Sequence, residues 1–185
     1  MKKIITISGN GGSGKSTIAN LLADKLKYKC YFMGDIMRKI ASENNMDIVT
    51  FQEQLKNNPE YDHKVDDMII ELSKDEEEII FVSRTAWHFI PDSYKVYLYV
   101  SEDEAARRIF NDDVRINEKK YETLEEAKQF SIRRNQLEID RYKNIYDIDV
   151  SNKDNYDFVL DTSNLSIDEV LGKIVESYDK YLERI

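Results

Sequence analysis

The sequence predicts an α/β domain whose parallel five-stranded sheet is flanked by helices. Three observations carry that expectation. Short runs of β-branched and aromatic residues alternate with helical patterns along the whole chain. A glycine-rich turn joins the first strand pattern to the first helix pattern. Two helical stretches, roughly 35–76 and 103–147, interrupt the alternation. Alternation of this kind builds a parallel sheet covered on both faces, and helical insertions overhang the carboxyl edge where ligands bind. At 185 residues, 1–185 suits one domain, and no stretch reads as a linker or an internal repeat.

Each element has its own signal. Strands are expected at Lys3–Ser8, Cys30–Met33 (the weakest), Ile79–Val82, Lys95–Val100 and Asp157–Leu160. Ile18, Leu21, Leu22 and Leu26 fall on one helical face, as do Ile167, Val170, Leu171, Ile174, Val175 and Tyr178. Capping-box patterns at Thr50…Glu53, Ser101…Glu104, Thr123…Glu126 and Ser166…Glu169 mark helix starts.

Composition excludes several function classes. Lys and Arg number 27 against 36 Asp and Glu, a net charge of −9. Such a surface repels nucleic-acid phosphate. Cys30 stands alone, so no internal disulfide forms, and a reducing cytoplasm is the expected location. The apolar run Ile4–Ile7 is too short for a signal peptide or a membrane span. Two prolines and six glycines exclude a collagen-like chain.

The strongest chemical signal is Gly9-Asn10-Gly11-Gly12-Ser13-Gly14-Lys15-Ser16, followed by Thr17. It matches G-x-x-x-x-G-K-[ST] between a strand and a helix, the context a phosphate-binding P-loop requires. Four of the six glycines lie here, where backbone amides must converge on phosphate oxygens. The helix amino terminus adds positive potential. Lys15 is expected on the β- and γ-phosphates of ATP, and the Ser16 hydroxyl on Mg²⁺.

The P-loop subclass is decided by the residues that accompany the motif. Ile79-Ile80-Phe81-Val82 runs into Ser83-Arg84 without the acidic residue that ends the corresponding strand of motor ATPases, and neither D-x-x-G nor N-K-x-D is present. Six of nine arginines fall between Arg107 and Arg141, namely Arg107, Arg108, Arg115, Arg133, Arg134 and Arg141; Arg38 and Arg84 follow strands. A kinase that brings two anionic substrates together needs such cations at the transfer point, and arginine suits bidentate phosphate contacts. Arg134, Glu138 and Arg141 share one helical face, which ordinary surface ion pairing also produces.

With these residues in place the chain resembles the cytidylate kinases, especially their short archaeal-type branch, over nearly its whole length. Gly34-Asp35-Ile36-Met37-Arg38 looks like the family's turn and helix after the second strand. Asn58-Pro59-Glu60-Tyr61-Asp62-His63-Lys64-Val65-Asp66 is similar to its acidic stretch in the monophosphate lobe. Arg84 stands where the family has an arginine after the third strand. Arg134-x-x-x-Glu138-x-x-Arg141-Tyr142, then Tyr146-Asp147-Ile148-Asp149, resembles the helix after the lid. Asp161-Thr162-Ser163 with Leu165-Ser166 resembles the terminal strand and helix entry.

The resemblance implies strand order 2-3-1-4-5, a monophosphate-binding lobe near 35–76 and a lid near 108–133. It implies transfer of the ATP γ-phosphoryl group, with Mg²⁺, to CMP or dCMP. Lys15, Arg38, Arg84, Arg134 and Arg141 would be catalytic. Asp35, Arg38, Asp62, Asp66, Arg84, Thr85, Arg134, Glu138 and Arg141 would bind the acceptor, and Arg108 and Arg115 would belong to the lid. Two departures stand out. Val82-Ser83-Arg84 replaces the family's acid-glycine-arginine, and Thr85 replaces the Asp with which the bacterial branch meets the cytosine amine. A kinase of UMP or another small acceptor, and an inactive nucleotide-binding regulator, therefore stay open. The expected partners are small-molecule nucleotides, without nucleic acid or membrane, and the chain is expected to be a monomer.

Other residues read as structural. His63 and His88 lack metal-ligand spacing, Cys30 suits a small core position, and Trp87 suits a core or rim aromatic. Glu76-Glu77-Glu78 reads as a solvated helix end, and the twelve tyrosines follow no basic stripe.

Overall fold

The computed structural model describes residues 3–55, 58–112 and 121–184. The sheet is parallel, with order β2-β3-β1-β4-β5. Its strands are β1 (Lys3–Ser8), β2 (Lys29–Phe32), β3 (Glu78–Val82), β4 (Tyr94–Tyr99) and β5 (Phe158–Asp161). The expected number, order and direction of strands all hold, with boundaries moved by a residue or so.

β1 is central, and past Lys3 it is buried on both faces. Only Lys3 is exposed, while Ile5 pairs with Ile80 of β3 and Tyr94 of β4. Side chains alternate across the pleat, so the strand feeds two cores. Ile4 packs with Ile79 and Phe81 beneath α2 (Met33–Glu43), α3 (Ile48–Leu55) and α4 (Glu60–Asp75). Ile5 and Ile7 pack with Ile80, Val96 and Leu98 beneath α1 (Lys15–Leu26) and α8 (Ile167–Leu182). Cys30 lies half-buried on edge strand β2, where burial pushes its thiol up to about 12. That environment makes it inert rather than nucleophilic.

The two insertions are helical, as the periodicity indicates. α2, α3 and α4 fill the first; α6 (Glu102–Phe110) and α7 (Leu124–Tyr146) supply the second. Three of four capping sites behave as expected. Ser101, Thr123 and Ser166 accept from the amides of Glu104, Glu126 and Glu169, and Ser166 forms the full reciprocal box. Thr50 does not start a helix. It lies inside α3, whose amino terminus is held by Asp47, which accepts from the Val49 and Thr50 amides at 2.9 Å and from the Thr50 hydroxyl at 2.6 Å. A carboxylate outcompetes a hydroxyl for several orphan amides at once. Among the described residues no helix is long and apolar enough to cross a membrane.

The P-loop leaves β1 with almost no clearance. Gly9 has φ +138°, and a Cβ there would stand 1.7 Å from the Leu98 carbonyl oxygen. Gly14 has φ +83° but nothing within 4 Å of a Cβ. Replacing each by Ala should separate packing from backbone strain. Gly14→Ala is expected to cost about 1–2 kcal/mol, the penalty of the left-handed region alone. Gly9→Ala adds a backbone clash and is expected to cost clearly more, above about 3 kcal/mol. Urea unfolding without nucleotide measures both, and equal losses would contradict the clash.

Candidate active site

The carboxyl ends of the strands meet one cleft of about 1050 Å³. At its donor end the P-loop is suspended from three elements. The Asn10 side chain makes a reciprocal pair with Val100 after β4, donating to its carbonyl at 2.9 Å and accepting from its amide at 3.1 Å. Thr162, after β5, donates to the carbonyl of Ser13 at 3.3 Å. Asn135 of α7 accepts from the Gly11 amide at 3.1 Å. α1 starts at Gly14 without a side-chain cap, so its first amides face the cleft. Lys15 folds over the loop, its Nζ donating to the Asn10 carbonyl at 2.6 Å. Ser16 and Thr17 are exposed at the cleft wall.

Arg108 sits on α6 beside this loop. Its guanidinium donates to the Thr162 carbonyl at 2.7 Å and the Gly12 carbonyl at 3.3 Å, and its Nε to Glu104 at 2.7 Å. It thus clasps the P-loop to the β5 exit. Arg115 lies outside the described residues. α6 ends at Phe110 and α7 begins at Leu124, so both ends of the span 108–133 are helical.

At the other end, charged groups are packed against one another out of water. Glu138 of α7 is 5% exposed and receives three donors. Arg84, following β3, bonds it at 2.5 Å; Gln52 of α3 bonds it at 3.1 Å; and Arg134, one turn back on α7, reaches it at 3.4 Å. Burial alone would raise the Glu138 pKa, but Arg84, Arg134 and Arg141 outweigh it and hold the carboxyl far below the ordinary range. Arg141 lies over the Tyr142 ring at 4.7 Å, with its Nε 3.3 Å from Asp62 of α4. Asp66, one turn further along α4, accepts from Thr85 at 2.6 Å and from Tyr146 at 2.5 Å. His63 closes this chain against the Tyr146 hydroxyl at 3.1 Å.

The remaining expected residues fall at the same cleft. Arg38 and Asp35 pair on α2, with Arg38 turned inward and Asp35 largely exposed. Val82 ends β3 at the cleft wall where the family has its acid, and Ser83 caps the short helix α5 (Ala86–Phe89) by accepting from the Thr85 and Ala86 amides. Trp87 is half-buried, its indole N–H donating to the Arg84 carbonyl at 2.8 Å. Glu76 is not merely solvated: it pairs with Lys29 and accepts from Tyr31, each at 2.9 Å. Sequence reasoning missed Gln52, Asn135 and Tyr146. Gln52 and Asn135 carry no motif, and no local sequence signal singles them out.

Donors unmet within the protein point to an anionic ligand. Arg84 Nη1 and Arg141 Nη1 are buried and have no hydrogen-bond partner among the described residues. Phosphate oxygens satisfy such atoms well. Ser16 offers the hard oxygen that Mg²⁺ prefers, and no group of three metal-binding side chains occurs among the described residues. The chemistry therefore fits magnesium arriving on a nucleotide's phosphates.

Burial raises Asp62 from 3.8 to about 6, with Arg141 partly offsetting it and Asp66 adding to it. A carboxyl raised by folding contributes stability that is complete below its unfolded value and lost as pH rises through its folded value. Relative to Asp62→Asn, the wild-type protein should therefore gain about 1.4 kcal/mol between about pH 7.5 and pH 5. Urea unfolding across that range measures it. A difference that stays constant with pH would show that Asp62 is not the titrating group. Glu138 has the opposite sign, its contribution falling away only at more acid pH.

Residues 4–164 match the family model described as the cytidylate kinase-like family. The chain is 34% identical over 160 residues to a cytidylate kinase of Methanothermobacter thermautotrophicus, covering 86% of this chain and 95% of that protein. It is 35% identical over 182 residues to an S-adenosylmethionine-dependent nucleotide dehydratase of Lacinutrix mariniflava, which covers 97% of this chain but only 37% of that relative. The shikimate kinase of Bacteroides thetaiotaomicron shares the fold, with a TM-score of 0.64 at 16% identity over 95% of this chain and 98% of its own. The P-loop and the strand order thus accompany kinship with ATP-dependent phosphotransferases, and the chain belongs to the cytidylate kinase-like family.

Proposed function

We propose that this chain transfers the γ-phosphoryl group of MgATP to a nucleoside monophosphate, CMP or dCMP, giving the diphosphate and ADP. The observation that supports it best is the shared cleft: the P-loop faces buried arginines whose Nη1 atoms lack protein partners among the described residues. In this reading residues 35–76 are the acceptor lobe and 108–133 the lid, within one domain. Gly9 to Thr17 hold the ATP phosphates, Lys15 bridges toward the γ-phosphate, and Ser16 is the protein's ligand to the magnesium that ATP carries. Arg38, Arg84 and Arg141 take the acceptor phosphate. Arg134 and Glu138 serve its sugar edge.

No covalent intermediate is needed. The acceptor phosphate oxygen attacks the γ-phosphorus in line, and the arginines neutralise charge spreading over the equatorial oxygens. Lid closure excludes water, which would otherwise capture the phosphoryl group. With Val82 where the family has its acid, Ser16 is the side chain that would hold the magnesium arriving on ATP, and that metal would supply charge neutralisation on the phosphates.

The dehydratase relative supports a second reading, one that concerns the use of the product. A nucleotide is the product here and, by its name, the substrate there, so a phosphorylated product would feed a nucleotide-consuming reaction. A coupled ADP-release assay across CMP, dCMP, UMP, AMP, GMP and shikimate tests the acceptor class directly.

Two variants test the roles. Lys15→Ala removes a charge-assisted contact made most strongly in the transition state, and kcat should fall by a factor corresponding to roughly 3–5 kcal/mol. Retention of more than about a tenth of the wild-type kcat would overturn its role. Arg38→Met should raise the monophosphate KM and lower kcat, with little change in the affinity of an unreactive ATP analogue measured by calorimetry. Equal losses for both ligands would place Arg38 in the donor site or the fold.

A further inference from the structure

The acceptor pocket is unevenly satisfied, and the imbalance has a chemical sign. Two buried oxygen atoms in it have no hydrogen-bond partner among the described residues: Gln52 Oε1 and Asp62 Oδ2. Gln52 is 4% exposed and Asp62 2%, and both line the cleft that holds Arg84 and Arg141. Their other atoms are committed. Gln52 Nε2 donates to Glu138 at 3.1 Å, which fixes the amide so that its oxygen points away from the carboxylate. Asp62 Oδ1 is ion-paired with Arg141 Nε at 3.3 Å, without the geometry of a hydrogen bond. Asp66 differs. Both of its oxygens already accept hydrogen bonds, from Thr85 at 2.6 Å and Tyr146 at 2.5 Å.

Buried acceptors without donors are unfavourable until a ligand supplies N–H or O–H groups. The phosphate of a monophosphate cannot, because it only accepts. A 4-aminopyrimidine can: its exocyclic amine carries two N–H donors and no competing acceptor in that direction. A pyrimidine with a carbonyl at the same place would set an acceptor against a carboxylate oxygen and an amide oxygen, leaving all three unpaired. We infer that Gln52 and Asp62 read the base of the acceptor, each taking one N–H of its exocyclic amine. The inference rests on the proposed monophosphate-kinase reading and deepens it. Thr85 and Asp66 become positioning residues, locked to each other and to Tyr146, so that α4 presents Asp62 at a fixed angle.

The test deletes the amine from either side. Wild-type protein is assayed with CMP, UMP and zebularine 5′-monophosphate, which carries hydrogen in place of the amine. CMP should exceed both others in kcat/KM by about tenfold or more. In Asp62→Asn the CMP advantage should shrink to about threefold or less, because an amide can turn a donor toward the base. Affinity for an unreactive ATP analogue should stay within about twofold. Gln52→Met should narrow the same ratio.

Three results would overturn the inference. If zebularine monophosphate matches CMP in the wild-type protein, the amine is not read. An equal fall for all three acceptors in Asp62→Asn would reduce Asp62 to a support for Arg141. Collapse of the ratio in Asp66→Asn but not in Asp62→Asn would move the reader to Asp66. The wild-type comparison decides even if a variant fails to fold. Should no monophosphate be phosphorylated, the proposed function fails, and calorimetric binding of CMP against zebularine monophosphate still decides the amine.

Discussion

Glu138 is the carboxylate on which the arginine-lined end of the cleft depends. It is buried, ionised and shared by Arg84 from the end of β3, Arg134 from its own helix and Gln52 from α3. One anion thereby binds the sheet, the long helix and α3 into a single arrangement. Ion pairs this deep seldom add net stability over well-packed apolar groups, because desolvation opposes the Coulomb attraction. Their use is orientation. Without the carboxylate, three guanidinium groups within one pocket would repel each other and scatter; with it they are held together, and the buried Nη1 atoms of Arg84 and Arg141 keep no hydrogen-bond partner among the described residues.

The same pocket keeps its negative charges apart by giving them different partners. Burial raises both carboxyls, but Asp62 has Arg141 beside it, whereas Asp66 is surrounded by hydroxyl donors. Two carboxylates four residues apart on α4 thus end with unlike partners. Both oxygens of Asp66 accept hydrogen bonds, and Oδ2 of Asp62 accepts none among the described residues. Sites that combine such strain with unmet donors and acceptors are less stable empty than filled, and binding relieves what folding leaves unresolved.

Much of this is legible in the chain without any coordinates. The P-loop reads outright because Gly9, Gly12 and Gly14 take positive φ there, and Gly9 against Leu98 shows how literal that requirement is. Strand number and direction come from β-branched runs alternating with helical periodicity, and the strand order from family resemblance. The α3 start is misplaced by sequence because Thr50…Glu53 has the form of a capping box, while Asp47 makes better bonds from three residues earlier. Gln52 and Asn135 are invisible for a different reason. Their importance lies in which distant backbone or side chain they meet, and nothing local in a sequence records a partner 86 or 124 positions away. Spacing puts Asp62 and Asp66 on one face; only packing tells them apart.

α7 carries one further consequence. A single unbroken helix contacts the P-loop through Asn135 and furnishes the buried charged pocket with Glu138 and Arg141. From Asn135 to Arg141 the helical rise is about 9 Å. The spacing between the two halves of the cleft is therefore gauged by backbone hydrogen bonds rather than by a loop. A ruler of this kind resists stretching, so in the proposed reading the two phosphates would keep their separation through thermal motion. Changes elsewhere in the chain would leave the length of that gauge untouched.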